Sequence, residues 1–243
     1  MVAVDRFPSY VIAIAGASGA GKTTLVRKVA ECLDDAVPFF FDDYERTEGA
    51  TAPADLNAWL AGDRDPNAWS RPVMAGHLRR LRSGESVVNP RHQTIIEPAA
   101  FIVMEEPFGR RRNEICDLVD FVVCIDLPLE IALARRLLEY ATKAKDPAKY
   151  VEMLQSFLTR YLQAGTRETY IAANALAMQE RNLVVDGTRN PNVIAQDVVE
   201  AVLSLRSPDS SPFDKWIGYL KHLEGEDSDA LVDEMRGPRP NGG

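Results

Sequence analysis

Short, nearly unbroken apolar runs alternate along the chain with longer segments in which apolar residues recur every three or four positions. Tyr10 to Ala15 is almost wholly apolar, the pattern of a strand buried on both faces of a parallel sheet. Behind it, Leu25, Val29 and Leu33 mark one face of a helix over Thr24 to Leu33. Val37 to Phe41 reads as a second strand, and Phe101 to Met104, Phe121 to Ile125 and Leu183 to Val185 as three more. Helical spacing returns over Val73 to Arg82, which Gly84 ends. It returns again over Pro128 to Tyr140 and Pro191 to Leu205, each opening on a proline at a tolerated first-turn position. Residues 44 to 70, rich in Asp, Ala, Pro and Gly, predict a long loop with short helices. Strands alternating with helices predict an α/β fold: a mostly parallel sheet of about five strands, flanked by helices.

The pattern also divides the chain. One domain is expected over residues 1–206. Ser207 to Pro212 is polar and proline-containing, as a hinge would be, and opens an extension over 207–243. There Trp216, Ile217, Leu220 and Leu223 form one stripe of a short helix, expected to dock on its own domain. Residues 225–243 turn acidic and then Pro/Gly-rich, a composition expected to stay loose.

Composition narrows the function classes. Of 243 residues, 46% are hydrophobic and 26% charged, enough apolar material for one large core. A net charge of -8 argues against a nucleic-acid binder or an anionic-membrane binder, either of which needs a basic face. Cys32, Cys116 and Cys124 are odd in number and without paired spacing, so they read as reduced, buried thiols of a cytoplasmic protein. The N-terminus has no apolar core behind a basic region, and no run approaches the ~20 apolar residues of a membrane span.

The chemistry begins at GASGAGKTT, residues 16–24. Gly16, Gly21, Lys22 and Thr23 satisfy GxxxxGK[ST], and the match lies between a predicted strand and a predicted helix. Such a loop, built here from Gly16, Ala17, Ser18, Gly19, Ala20, Gly21, Lys22, Thr23 and Thr24, wraps a polyphosphate with backbone N–H groups. Lys22 would neutralise β/γ oxygens and Thr23 would place its hydroxyl on Mg²⁺. A metal site needs a further acid at a strand end, and FIVMEE supplies Glu105 and Glu106, with Glu105 the stronger candidate. The second strand ends in FFFDDYER, which sets Asp42 and Asp43, beside Tyr44, at the edge where open α/β sheets bind ligands. A carboxylate there can accept the proton of an attacking hydroxyl, or belong to a solvated turn.

These residues resemble the uridine kinase-like group of P-loop kinases, which includes uridine, nicotinamide riboside and phosphoribulose kinases. The resemblance spans about residues 10–205 and is carried by GASGAGKTT, FDDY, PNAW (66–69) with HLRRLRSGESV (77–87), the run from Met104 to Arg136, and VVDGTRNP (184–191). It implies ATP and Mg²⁺ as cofactors and a small-molecule hydroxyl as phosphate acceptor. It further implies Asp42 as general base and metal-shell ligand, Lys22 and Glu105 as its catalytic companions, and Thr23, Asp42 and Glu105 as the metal set. Arg136, beside Arg135, would sit on a lid-bearing helix, with the lid at about 136–165 carrying Lys143 and Lys145. Arg189 would face the nucleotide.

The acceptor half departs from that group. Arg64 stands where an acidic residue holds ribose hydroxyls, with Asp63 and Asp65 on either side. The base-contacting segment shortens to NPRHQT, leaving Arg91 and His92. Acceptor candidates are therefore Asp42, Tyr44, Asp63, Asp65, Trp69, Arg91 and His92. The expected activity is transfer of the γ-phosphate to a nucleoside or related metabolite. An alternative acceptor is a non-nucleoside alcohol such as pantothenate, a sugar or glycerate derivative, or a natural-product hydroxyl. A nucleotide-dependent switch ranks lower, since no Asn-Lys-x-Asp guanine motif is present. The oligomeric state is left open, a homodimer included.

Overall fold

The computed structural model describes residues 8–206. The expected hinge, the Trp216 stripe and the tail lie outside the described residues. In chain order come β1 (Tyr10–Ala15), α1 (Lys22–Cys32), β2 (Ala36–Phe39), a 3-10 turn (Phe41–Tyr44), α2 (Leu56–Ala61), a second 3-10 turn (Pro66–Trp69) and α3 (Pro72–Arg82). A hairpin of β3 (Val87–Val88) and β4 (Ile95–Ile96) follows, then β5 (Phe101–Glu105) and β6 (Phe121–Asp126). Three consecutive helices, α4 (Leu129–Lys143), α5 (Pro147–Gln163) and α6 (Thr166–Gln179), lead to β7 (Leu183–Asp186) and α7 (Pro191–Arg206).

The five long strands form one parallel sheet in the order β2-β5-β1-β6-β7. Burial explains its unbroken apolar runs: Val11 to Ala15, Ile102 to Met104 and Val122 to Cys124 are fully shielded from solvent. Side chains from β1, β5 and β6 pack with Met74, Leu78 and Leu81 of α3 and with Phe39, Phe41 and Tyr44. Asp120 ties that core together: its carboxylate accepts from Val11 N at 2.8 Å and pairs with Arg82 at 3.0 Å.

Two expectations shift. The second strand ends at Phe39 rather than Phe41, because the next four residues wind into the 3-10 turn. That turn buries Phe41, Asp43 and Tyr44 while leaving Asp42 exposed, a burial pattern no strand alternation produces. Beyond α4, the chain forms two full helices. Asp146 caps α5 by accepting from Ala148 N at 3.0 Å. The inward face of α6 is made of Thr169, Ala172, Ala173 and Ala177, too small to announce itself by periodicity. No helix among the described residues is long and apolar enough to cross a membrane.

Of the three thiols expected to be buried, only Cys124 is: Cys32 is half-buried on α1, and Cys116 lies at the surface. Cys124 is fully buried and burial pushes its pKa up to about 11, whereas Cys116 is exposed. A thiol reagent at pH 8 should therefore label Cys116 fast and Cys124 only after denaturation. Equal labelling of both in the native protein would contradict the packing of β6.

Candidate active site

From β1 the chain departs toward β2, and from the neighbouring β5 it departs to the other side, toward β6. Opposite departures from adjacent strands open a crevice at their C-terminal ends. The register places Ile14 beside Glu105, so the carboxylate at the end of β5 meets the loop that leaves β1.

That loop makes its cradle from backbone. Gly21, at φ 99°, precedes the first turn of α1 and offers no side-chain cap, so the first N–H groups of the helix remain available to an anion. Gly19, at φ 85°, comes so close to α4 that a Cβ would lie 2.1 Å from the Ala132 carbonyl oxygen. Lys22 Nζ lies 3.4 Å from Glu105 Oε1 and donates to the Ala17 carbonyl at 3.2 Å. Thr23 Oγ1 donates to Glu105 Oε2 at 3.0 Å. One nearly buried carboxylate thus holds the ammonium and the hydroxyl that the sequence assigns to phosphate and metal.

Two cavities flank the cradle. A cleft of about 570 Å³ is lined by Thr23, Glu105, Asp42, Arg27, Phe40 and the hairpin residues Asn89, Arg91 and His92, among others. The exposed Asp42 carboxylate makes no side-chain hydrogen bond among the described residues. Its neighbour Asp43 is buried and fastens the hairpin: Oδ2 accepts from Asn89 Nδ2 at 2.7 Å, and Oδ1 lies 3.3 Å from His92 Nε2. Asn89 Oδ1 in turn accepts from the backbone of Arg91 and His92 at 2.9 and 3.0 Å, shaping the turn. The second cavity, about 320 Å³, lies on the other side of the loop, between Ala20, Gly21, Thr24 and Leu25 and the residues Ile125, Arg135, Gly187, Arg189, Pro191 and Ile194. Arg135 donates to the Gly187 carbonyl at 3.0 Å, and Arg189 pairs with Asp197 at 2.6 Å. Arg136 pairs with Glu139 at 3.0 Å, stacks on Tyr140, and leaves its buried Nε without a partner.

The other expected site residues lie elsewhere. Tyr44 is in the core, its hydroxyl 3.1 Å from His77 Nδ1 and its ring against Phe39. Burial, and then the Asp43 charge, push that phenol well above its ordinary pKa. Asp63 accepts from Asp65 N at 3.1 Å, and Asp65 caps its turn by accepting from Asn67 N at 2.9 Å. Trp69 packs against Trp59 and Phe108. None of these four lines the larger cleft. Lys143 is exposed and paired with Glu139. Glu106 is wholly buried against Arg112 and does not line the larger cleft. Arg27 and Asn89 are cleft residues that sequence reasoning missed. Asn89 had a signal in the Asn-Pro turn dipeptide, and Arg27 only its place one helical turn beyond Thr23.

In this structure the cradle residues fit a triphosphate with its divalent ion. No three His, Cys, Asp or Glu side chains converge to hold a metal unaided among the described residues, so an ion here needs further oxygens, which phosphates supply. Gly19→Ala should abolish nucleotide binding in calorimetry, since both φ and the Ala132 contact forbid a methyl group. Tyr44→Phe should cost about 1 kcal/mol of stability through the lost His77 bond, read by denaturant unfolding, with turnover little changed. A large rise in KM without loss of stability would return Tyr44 to the cleft.

Residues 11–143 match the Phosphoribulokinase / Uridine kinase family. The chain is 27% identical over 214 residues to the uridine kinase of Borrelia duttonii (strain Ly), covering 84% of this chain and 98% of that protein. It is 27% identical over 197 residues to the uridine kinase of Chlamydia pneumoniae, covering 76% and 84%. Among solved structures, shikimate kinase from Acinetobacter baumannii in complex with shikimate superposes with a TM-score of 0.48 at 19% identity, covering 82% of this chain and 95% of that one. Since the matched stretch exceeds half of the sequence and contains both the cradle and its facing acids, this chain belongs to the phosphoribulokinase/uridine kinase family.

Proposed function

We propose that the protein is a kinase that uses ATP and Mg²⁺ to phosphorylate a hydroxyl of a nucleoside or related small metabolite. The carrying observation is convergence: Thr23, Glu105 and Asp42 line one cleft, and Lys22 reaches Glu105 at its floor. ATP supplies the phosphoryl group, and Mg²⁺ neutralises its oxygens. Thr23 and Glu105 would hold the ion, with Asp42 directly or through water. Lys22 would move from Glu105 to the phosphates. The smaller cavity, apolar at Leu25, Ile125, Pro191 and Ile194, suits the flat face of a nucleobase, with Arg135 and Arg189 at its edges. Asp42, exposed at the cleft, would accept the hydroxyl proton. Residues 136–165, with Arg136 at their start, would close over the phosphates and exclude water.

A second acceptor class has its own support. Asp63 and Asp65 each engage one carboxylate oxygen in a local turn, and Arg64, at φ 57°, donates from Nε to the Leu60 carbonyl. Neither aspartate lines the larger cleft, where a ribose diol would have to be gripped. Arg91 and His92 project instead from the cleft wall, which favours a non-nucleoside alcohol such as a sugar, glycerate or pantothenate-like hydroxyl.

Both readings face one experiment: purified protein, ATP and Mg²⁺ against a panel of nucleosides, sugars and hydroxy acids, with ADP release measured. Lys22→Ala should lower kcat by about 10²-fold or more. Asp42→Asn should lower it by about 10²–10⁴-fold while nucleotide affinity stays near that of the wild type. ADP release that no acceptor stimulates would reject the kinase.

A further inference from the structure

Arg112 is the largest fully buried side chain among the described residues, and its guanidinium reaches three separate segments around the site. From Nε and Nη2 it donates to Glu106 Oε1 at 3.2 Å and Oε2 at 2.5 Å. From Nη1 it donates to the Trp69 carbonyl at 3.1 Å and to Glu114 Oε1. Its plane also lies over the Phe41 ring, 5.2 Å from the centroid. Arg71, almost as buried, lies 4.7 Å from the same ring. Glu114 closes the circuit by accepting from Arg71 N at 2.7 Å and Ser70 Oγ at 3.0 Å.

The neighbours of these contacts give them meaning. Glu106 follows Glu105, and its backbone N–H is bonded to Ile14 of β1 at 3.1 Å. Phe41 precedes Asp42. We propose that Arg112 is a positioning residue: it clamps Phe41 and Glu106, and thereby sets the spacing between Asp42 and Glu105. The role of Asp42 as base rests on the kinase reading, but the clamp does not. Buried Glu106 and half-buried Glu114 face the two guanidiniums of Arg71 and Arg112, and exposed Glu45 adds a further negative charge near Arg71. A planar fork suits this task, because lysine keeps the charge and loses the simultaneous bonds. The other flank of the turn is pinned separately, through Asp43 and the hairpin. An exposed base therefore sits on a turn held from both sides, which limits its freedom to wander from an in-line geometry.

The test is Arg112→Lys in the full chain. Amide hydrogen exchange by mass spectrometry should accelerate over residues 41–46 and 69–74, while α1 stays protected. With the acceptor found by the screen, kcat should fall about 10²-fold. KM for ATP should stay within about twofold, and adding Asp42→Asn should lower turnover no further. Unchanged exchange at 41–46 overturns the clamp. Losses that multiply in the Asp42→Asn background overturn its action through that carboxylate. Exchange that rises everywhere, α1 included, shows a global structural role and also overturns it. Arg112→Met paired with Glu106→Gln fills the same space without an unpaired charge, and should show the same local exchange if the lysine variant does not fold. If the wild type turns over no acceptor yet exchange responds locally, the kinase reading falls and the clamp stands.

Discussion

The site depends on one carboxylate. Glu105 ends β5 beside β1, and across that single step of parallel register it holds both the ammonium of Lys22 and the hydroxyl of Thr23. Each of those groups sits at the start of α1, so the strand pairing and the helix start are welded together at the bottom of the crevice. A buried lysine and glutamate are costly apart and tolerable together. The pair therefore constrains any ligand that enters: to engage Lys22 it must offer negative charge that replaces what Glu105 supplies. A polyphosphate does so, and a neutral molecule does not.

Around this anchor the parts differ in how they are held. The cradle is backbone, shaped by glycines and packed against the first turn of α4 through Gly19. The acid that faces it, Asp42, is supported only through its neighbours in the chain: Phe41 lies under two guanidiniums, and Asp43 lies under an asparagine and a histidine. Rigid supports under an exposed group let a carboxylate stay in contact with water while its position is fixed.

The sheet was readable in the sequence because a strand covered on both faces must be apolar throughout, and Tyr10 to Ala15 or Phe121 to Ile125 can be little else. The cradle was readable because its glycines and lysine sit at fixed spacing between a strand and a helix. The Phe41–Tyr44 turn was harder: Phe41 continues the apolar run of the strand, and only the observed burial of Asp43 with exposure of Asp42 reveals a helical twist. Asp63 and Asp65 look like ligands in sequence, yet capping a short turn asks for the same residue type. Arg112 was invisible for a plainer reason. Within FGRRRNE it resembles its solvated neighbours, and what singles it out is long-range: Trp69 and Phe41 are over forty and seventy positions away.

The hairpin carries a different implication. β3 and β4 form a two-stranded sheet of their own, outside the five-stranded one, and the Asn89–His92 turn meets the Phe41–Tyr44 turn through the two oxygens of Asp43. A change at Asn89 or His92 is therefore felt at Asp43, while the five-stranded sheet, the glycine loop and the Glu105 contact are left as they are. The wall of the larger cleft can thus differ among relatives without disturbing the sheet that carries it.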